Sequence, residues 1–599
     1  FDAGVIVSSY LFGWGSEASL KDSLSASSGD ILLLLGEKSR PASPSITRQE
    51  KLTSDVGSVL LRSSNPFYSA RLAGAVRELV ADGTTAQPVV VHAGGIMRAV
   101  LELCRRADRV VRVDVERMPR ADSQMHAREL LLSESGNRVV FIMSKDAYAA
   151  STATLRKWKV DATVIGEVID GEGVQFCWNH RTVADIPLKR FLVTDVKREF
   201  ELVEFPPMVK PTHKIRNRLP QLEPQGGRRT ALAIEDEGKA SFPVPEYLPD
   251  AWIDMLADPN LCSRRYLGNI IQSPEYIRSV AGERDAHVFP DWTRLDRDMS
   301  AAVPGVATAL VGESLYMKSD AYLGTVHAVA EALRRLAAVG ARPSALVGAL
   351  SFGDPSKYRH LCDLAEATRA LSDVGRVWGL SLLTEDLNLA IGVHGGGDLP
   401  TPGILAIGEV SDCRVSVPGG FVADGDVVLV LGTTLNEIAC SEYARYYKHD
   451  LSSIIPELNF SSEENVRSVI LTLVEKGLLQ SAHSVGKGGI AVALAECCLI
   501  RPEEPIGANL FLALTFDPRE YRADAVLFSE TPGRFVVSCK KEHQAEIERI
   551  CKQSSITISG KGDVGGRKIV MEGAVDLSLP LTTALKVWTN RLRNILNPV

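Results

Sequence analysis

Two histidines stand in segments whose residue types could perform acid–base chemistry. His92 precedes a pair of glycines by two positions, and His483 precedes a similar pair by five positions. A histidine side chain titrates near neutral pH and can act as a catalytic base. Neither segment contains a carboxylate that would orient its histidine. A hydrogen-bonded structural role is therefore the alternative for both residues.

The second of these segments also carries groups that could bind phosphate. Lys487, Gly488 and Gly489 stand directly before a stretch with a helical pattern. Backbone N–H groups at the start of a helix bind phosphate, and a lysine ammonium can add a point charge. The alternative interpretation is a close-packed glycine turn that has no ligand.

Two other catalytic motifs are incomplete in this chain. The run from His394 to Gly397 resembles the oxyanion loop of esterases, but the sequence has no Gly-x-Ser-x-Gly elbow to accompany it. Lys487 and Lys561 each follow a glycine, yet glycine comes next where a phosphate-binding P-loop needs Ser or Thr. The sequence therefore argues against an esterase and against a P-loop nucleotidase.

The elements that must position these residues occur twice along the chain. Gly29-Asp30 opens the apolar run 31–36, and Gly425-Asp426 opens the run 427–432. Residues 132–138 resemble residues 528–534 at the same offset, and a β-rich run follows each of them. The glycine segments lie between these landmarks in both copies. This order predicts two copies of one α/β domain, at 29–205 and 418–599.

A proline-rich linker and a third unit separate the two copies. Residues 206–250 contain eight prolines among basic residues, which is typical of an extended linker. In the unit 251–417, apolar residues recur at helical spacing over 325–339 and stop at Gly340. Another helix is predicted to begin at Pro66. Residues 1–28 are too short to form a domain and contain a predicted strand, residues 4–12.

Composition places the chain among ordinary globular proteins of several domains. It has 599 residues, of which 45% are hydrophobic and 24% charged, with a net charge of -7. A nucleic-acid-coating protein is disfavoured by that charge. The longest apolar runs are strand-sized and far shorter than the roughly 20 residues of a membrane helix.

The ten cysteines are scattered and form no Cys-x-x-Cys pair. This pattern predicts reduced, mostly buried thiols in an intracellular protein, in the cytoplasm or in the matrix of a mitochondrion or plastid. The sequence begins with phenylalanine, which is equally consistent with a removed leader and with an incomplete record.

The order of these motifs resembles the small form of formylglycinamidine ribonucleotide synthetase, a purine-pathway family of the PurM-like, or aminoimidazole ribonucleotide synthetase-like, superfamily. The resemblance implies an α/β layered fold built from assembly domains and C-terminal-type α/β domains. The segments that carry it are residues 131–138, 328–332, 340–343, 351–355, 400–402, 481–483, 488–496 and 527–535.

The resemblance assigns a place in the family architecture to every part of the chain. Residues 1–28 correspond to a remnant of the first assembly domain, and 251–417 to the second assembly domain. The repeated units 29–205 and 418–599 correspond to the two C-terminal-type domains. In the family, the first assembly domain carries the residues that bind substrate, magnesium and the reactive ATP. Most of that domain has no counterpart in this sequence.

Several ligand positions of the family differ in this chain. In the segment that resembles the family's magnesium-binding run, Ser381 and Glu385 are kept while both asparagines are replaced. These two residues are the candidate magnesium ligands, and an acid beside a buried strand is the alternative. In the His483 segment the family's carboxylate is lost and Lys487 is present. The implied cofactor is ADP or ATP with Mg²⁺ at a degenerate auxiliary site.

Three functions remain open from the sequence. The first is a divergent, non-catalytic homologue that acts as a scaffold subunit of an assembly. The alternative is an active synthase that makes the amidine from formylglycinamide ribonucleotide, ATP and ammonia. The third is a nucleotide-binding module. In each case an unpaired sheet in 251–417 predicts a protein partner over that sheet, either a second copy or another subunit.

Overall fold

The computed structural model describes residues 26–40, 66–81, 88–92, 94–189, 243–266, 285–290, 302–313, 315–353, 358–390, 401–447 and 455–596. The chain divides into two compact units, one formed by residues 12–207 and the other mainly by residues 208–599. The predicted strand at 4–12, nearly all of the linker 206–250 and the run 394–397 lie outside the described residues.

The first unit contains a sheet of seven strands in the order β2-β4-β1-β5-β3-β6-β7. Its strands are β1 Ile31–Gly36, β2 Val89–Val90, β3 Val110–Asp114, β4 Arg138–Met143, β5 Ala162–Ile169, β6 Gly173–Trp178 and β7 Arg181–Pro187. Its helices are α1 Pro66–Ala81, α2 Gly95–Ala107, α3 Ala127–Leu132 and α4 Lys145–Trp158. The predicted helix start at Pro66 is thereby confirmed.

Alternation along the central strands explains why this sheet has helices on both faces. Leu32 and Leu34 pack into one core with α2 and α3. Leu33 and Leu35 pack into a second core with α1 and α4. Successive side chains of a strand point to opposite faces, so a strand that is apolar at every position must be buried on both sides.

The second sheet has five strands in the order β11-β10-β12-β9-β8. Its strands are β8 His287–Pro290, β9 Gly305–Gly312, β10 Arg342–Gly353, β11 Ser381–Ala390 and β12 Thr401–Val410. The helices of this part of the chain are α5 Leu248–Leu256, α6 Leu315–Ser319, α7 Ala321–Ala338 and α8 Tyr358–Val377. The predicted helix at 325–339 is α7, and Gly340 follows it with a φ of +80°.

One face of the second sheet is covered by α7 and α8, while a row of apolar side chains crosses the other face. The register aligns Leu383 with Val347, Val347 with Leu405, and Leu405 with Leu310. The two ends of the row are open, because Leu310 is 45% and Leu383 is 49% exposed. Leu405, in the middle of the row, is buried.

The third sheet repeats the first, in the order β14-β16-β13-β17-β15-β18-β19. Its strands are β13 Val427–Leu431, β14 Ser481–Ser484, β15 Ala508–Leu512, β16 Phe535–Cys539, β17 Ile558–Val564, β18 Lys568–Gly573 and β19 Leu577–Pro580. Its helices are α9 Glu442–Tyr446, α10 Phe460–Glu475, α11 Gly489–Leu499, α12 Ala523–Phe528, α13 Gln544–Gln553 and α14 Leu581–Leu596.

The predicted internal repeat is confirmed by strand order and strand direction. In the spatial order of each sheet the third and fourth strands, β1 with β5 and β13 with β17, are antiparallel. Among the described strands, each sheet contains one parallel pair, β3 with β6 and β15 with β18. The same order and the same directions in both sheets indicate one architecture used twice.

Helix α5 packs differently from what the predicted domain boundary implies. Trp252 is buried in the core of the third sheet, and its indole N–H donates to the carbonyl of Ala491 over 2.9 Å. The predicted boundary at residue 251 therefore falls inside a helix whose core belongs to the third sheet. The amphipathic sequence of this nine-residue helix predicts a buried face but not which core receives it.

All ten cysteines lie in the described part of the chain as free thiols, and only Cys177 is not fully buried. The predicted burial of most thiols is confirmed, and their reduced state stays a prediction. Among the described helices, none has the length and apolar character that crossing a membrane requires.

Candidate functional site

A glycine turn opens one helix of each repeated domain, α2 in the first copy and α11 in the second. Gly488 and Gly489 have φ values of +76° and +67°, and Gly94 and Gly95 have values of +84° and +66°. A side chain at Gly489 would lie 2.5 Å from the carbonyl oxygen of Leu527. Glycine is required here because the backbone is left-handed and the neighbouring chain is too close for a Cβ atom.

A glutamate accepts a hydrogen bond from each of these turns. The Oε1 atom of Glu530 lies 2.9 Å from the Gly488 nitrogen, and that of Glu134 lies 2.9 Å from the Gly94 nitrogen. The glutamates of the two Ser-Glu pairs, Ser133-Glu134 and Ser529-Glu530, therefore hold the two turns. In each copy the N–H that could have received a phosphate is already used by the protein's own carboxylate.

A buried arginine fixes the segment that carries each glutamate. Arg534 donates to the carbonyls of Ser529 and Thr531 over 2.7 and 2.8 Å. Arg138 donates to the carbonyls of Ser133 and Ser135 over 2.6 and 2.8 Å. Both arginines are fully buried. The same set of contacts thus positions Glu530 and its counterpart in the first copy.

Lys487 occupies the centre of a buried cluster of glutamates. Its Nζ atom lies 3.1 Å from Glu313 Oε2 and 3.7 Å from Glu442 Oε1. Burial opposes the ammonium charge, but Glu313, Glu442, Glu331 and Glu530 outweigh it and raise the pKa of Lys487 above its usual value. The lysine is therefore a permanent cation and not a nucleophile.

Glu530 connects the turn to α9 and to α6, the helix between β9 and β10 of the second sheet. Besides Gly488, its carboxylate accepts from the backbone nitrogen of Glu442 over 2.9 Å and from the Tyr316 hydroxyl over 2.6 Å. Burial and the nearby Glu442 raise the pKa of Glu530 to about 7, although these donors favour the charged form. The carboxyl group joins three separate elements.

His483 lies between two carboxylates that its own sequence motif does not contain. Its Nδ1 atom contacts Asp285, and its Nε2 atom lies 3.0 Å from Glu496. Asp285 also accepts from the Ser484 nitrogen and hydroxyl over 2.7 and 2.6 Å. Burial disfavours the imidazolium, but Asp285 outweighs burial and the pKa of His483 rises to about 10.

A protonated, doubly paired imidazole cannot accept a proton, so this geometry favours the structural role for His483. The segment of His483 itself contains no carboxylate, and Asp285, which pairs with the ring, is 198 residues away in sequence and is brought there only by folding. The other histidine, His92, is exposed, and its carbonyl accepts from the Gly95 nitrogen over 2.8 Å.

The two candidate magnesium ligands lie on an edge strand. Ser381 is the exposed first residue of β11, and Glu385 belongs to the same strand. Within the described ranges, no group of three or more His, Cys, Asp or Glu residues is placed to hold a metal ion. Mg²⁺ needs several oxygen ligands in an octahedral arrangement. Of the two candidate side chains the structure describes Ser381, and a single hydroxyl does not provide such a set of ligands.

Sequence reasoning missed Asp285, Glu313, Tyr316 and Glu442 as members of this site. Each lies on a different segment from Lys487, and none has a distinctive neighbour in sequence. Only Glu530 carried a signal, because its Ser-Glu pair recurs at the fixed offset between the two copies.

Replacing Glu530 with alanine is expected to destabilise the protein by about 2–3 kcal/mol, because buried donors on Gly488, Glu442 and Tyr316 lose their acceptor. The matched variant is Glu134→Ala, whose exposed side chain serves the turn alone and whose loss is expected to cost less than about 1 kcal/mol. Urea unfolding of both variants measures the difference. Equal losses would contradict the role assigned to Glu530.

The contribution of His483 to stability should depend on pH. Its pKa is raised in the folded protein, so protonation favours the folded state below about pH 6.5, and this advantage fades as pH rises toward 10. The difference in unfolding free energy between wild type and His483→Gln should therefore shrink over that interval. His543→Gln is a control at a ring that contacts the Leu478 carbonyl. A constant difference across the interval would oppose the ion-pair assignment.

Comparison with known proteins identifies the family of these domains. The model described as AIR synthase related protein, C-terminal domain, matches residues 28–179 and again 423–570. The model described as AIR synthase related protein, N-terminal domain, matches residues 288–410. The two C-terminal-type matches cover most of the two seven-stranded sheets, the first ending before β7 and the second within β18, and the N-terminal-type match covers the five-stranded sheet.

Relatives with assigned names support the same grouping. The chain is 28% identical over 555 residues to the phosphoribosylformylglycinamidine synthase subunit PurL of Anaeromyxobacter sp. (strain Fw109-5), covering 92% of this chain and 68% of the relative. The PurL subunit of Thermobifida fusca (strain YX) is 29% identical over 522 residues, covering 85% of this chain and 63% of the relative.

Solved structures agree at the level of the fold. Thermotoga maritima PurL complexed with ATP matches with a TM-score of 0.59 and 16% identity, covering 92% of this chain and 73% of that one. The structure of PurLQS from Thermotoga maritima matches with the same score, identity and coverage. The resemblance noted in the sequence and its PurM-like fold are confirmed, and the chain belongs to the AIR synthase related protein family.

Proposed function

We propose that this protein is a subunit of a phosphoribosylformylglycinamidine synthase, which forms an amidine from formylglycinamide ribonucleotide, ammonia and ATP. The observation that carries the proposal is the 28% identity to a PurL subunit across 92% of the chain. The succession of C-terminal, N-terminal and C-terminal family domains supports it. This was the alternative to the scaffold hypothesis in the sequence, and the comparisons favour it.

The glycine turn of the second copy does not fit a nucleotide phosphate. The Gly488 N–H donates to Glu530, and the Lys487 ammonium pairs with Glu313 and Glu442. A phosphate would meet carboxylates where it needs free donors. The proposal therefore places no catalytic step at this turn. An auxiliary ADP or ATP with Mg²⁺ elsewhere in 251–599 stays a prediction from the resemblance.

A non-catalytic scaffold subunit is the second candidate, and Lys487 is the observation that favours it. A lysine stands where the resembling family motif has a carboxylate, and the groups around it are satisfied within the protein. The helices and strands of the family fold are kept, whereas the residue at position 487 differs from the family motif. Such a chain could still serve an assembly, in a reducing intracellular compartment suited to its free thiols.

The open apolar row of the second sheet supports a protein partner in either case. Leu310 and Leu383 expose about half of their surface at the ends of a row that Val347 and Leu405 continue. Apolar surface on a sheet face is stabilised by covering it. We propose that another assembly domain covers this row, from a second copy or from a different subunit.

The decisive assay measures amidine and ADP formation by the purified protein with formylglycinamide ribonucleotide, ATP, Mg²⁺ and ammonium chloride. An active synthase is expected to release ADP only when both the ribonucleotide and ammonium are present. Reactions that lack either one are the controls. If the protein stays inactive with ammonium and also with glutamine plus a glutaminase subunit, the catalytic proposal is wrong and the scaffold candidate is favoured.

A further inference from the structure

A single lysine side chain, 23% exposed, connects two domains of the larger unit through buried carboxylates. Lys487 lies in the turn before α11 of the third sheet. Glu313 directly follows β9 of the second sheet, and Glu442 is the first residue of α9. The Nζ atom is 3.1 Å from Glu313 and 3.7 Å from Glu442, and both glutamates are almost fully buried.

The other partners of these glutamates show what Lys487 alone supplies. Glu442 also contacts Arg445, which in turn pairs with Asp258 over 2.6 Å. Glu313 accepts from the backbone nitrogens of Leu315 and Tyr316 over 2.8 and 3.2 Å. Among the described residues, Lys487 is the cation that pairs with Glu313. Without it, a carboxylate 2% exposed would face the remaining glutamates without a counter-charge.

Two further glutamates, Glu331 and Glu530, add negative charge around the Lys487 ammonium. Glu331 of α7 pairs with Arg335, one turn further along the same helix, and it still acts on Lys487. Glu530 is held by three donors that carry no net charge. Burying like charges together is costly unless a cation lies among them.

We propose that Lys487 is a built-in counter-cation, which positions Glu313 and Glu442 and thereby joins the second and third sheets without a bound ion. Elsewhere such a concentration of carboxylate oxygens is neutralised by a metal ion. Here the positive charge is covalently attached, so the junction forms whenever the chain folds. Lys487 is therefore a positioning residue. Its ammonium holds the carboxylates of Glu313 and Glu442 in place and thereby holds the second and third sheets together.

Chemical rescue tests this role directly. Lys487→Ala removes the equivalent of a propylammonium ion and is expected to lower the thermal unfolding midpoint by several degrees. Added n-propylammonium should restore part of that loss by binding the folded state, whereas tetramethylammonium at equal ionic strength should not, since it has no N–H donor. A merely structural loss of packing would respond to neither ion.

Lys561→Ala is the matched control, because Lys561 also lies between two glycines but is 55% exposed and pairs with surface Glu548. Its midpoint should stay near that of wild type, with or without the amine. An unchanged midpoint for Lys487→Ala, or equal effects of the two ammonium ions, would overturn the proposal.

A second comparison applies even if the alanine variant fails to fold. Lys487→Met keeps the apolar stem and removes the charge, and adding Glu313→Gln then removes the unpaired carboxylate. The double variant is expected to unfold at a higher temperature than Lys487→Met, and Lys487→Arg should keep most of the wild-type midpoint. A double variant no more stable than Lys487→Met would contradict the charge-compensation argument.

Discussion

The pairing of the Lys487 ammonium with two buried glutamates is the interaction that we place at the centre of the larger unit. A charge removed from water is tolerated only when opposite charges and hydrogen bonds replace the lost solvent. Lys487 and the carboxylates of Glu313 and Glu442 satisfy one another at the contact between two sheets. His483 and Asp285 form a second ion pair of this kind. Asp285 lies just before β8 of the second sheet, and His483 lies in β14 of the third sheet.

Apolar packing reinforces the same junction. Helix α7 gives most of its buried side chains to the core of the second sheet, but Ala337 and Ala338 belong to a core of the third sheet. A buried ion pair, Arg334 with Glu463 at 2.6 Å, lies between α7 and α10. Two domains that share a helix and several buried charges gain little from separating, because each would expose unpaired groups.

The two copies of the repeated domain show which features belong to the fold and which to the site. The glycine turn, its glutamate and the buried arginine occur in both copies with nearly equal distances. Among the residues that the structure describes, only the second copy surrounds the turn with a buried tyrosine and further glutamates. The first copy leaves Glu134 exposed. The turn is therefore an element of the architecture, and the ionic cluster is an addition to it.

The repeat, the central strands and helix α7 could be predicted from the sequence, because apolar periodicity and a constant offset are local signals. The partners of His483 and Lys487 could not be. Asp285 and Glu313 are acidic residues of ordinary surroundings, and only tertiary contacts distinguish them from surface acids. For the same reason the sequence could not decide between a phosphate site and a packed turn at Gly488. The structure favours the packed turn, because the Gly488 N–H donates to the Glu530 carboxylate.

The central claim is that the second and third sheets form one cooperative body held by buried charge. Native-state hydrogen exchange of the purified protein tests it, by comparing amides of β12 in the second sheet with those of β13 in the third. We expect slowly exchanging amides of both strands to open with the same free energy and the same denaturant dependence. If β12 opens at lower free energy while β13 stays protected, the two sheets unfold separately and the account is wrong.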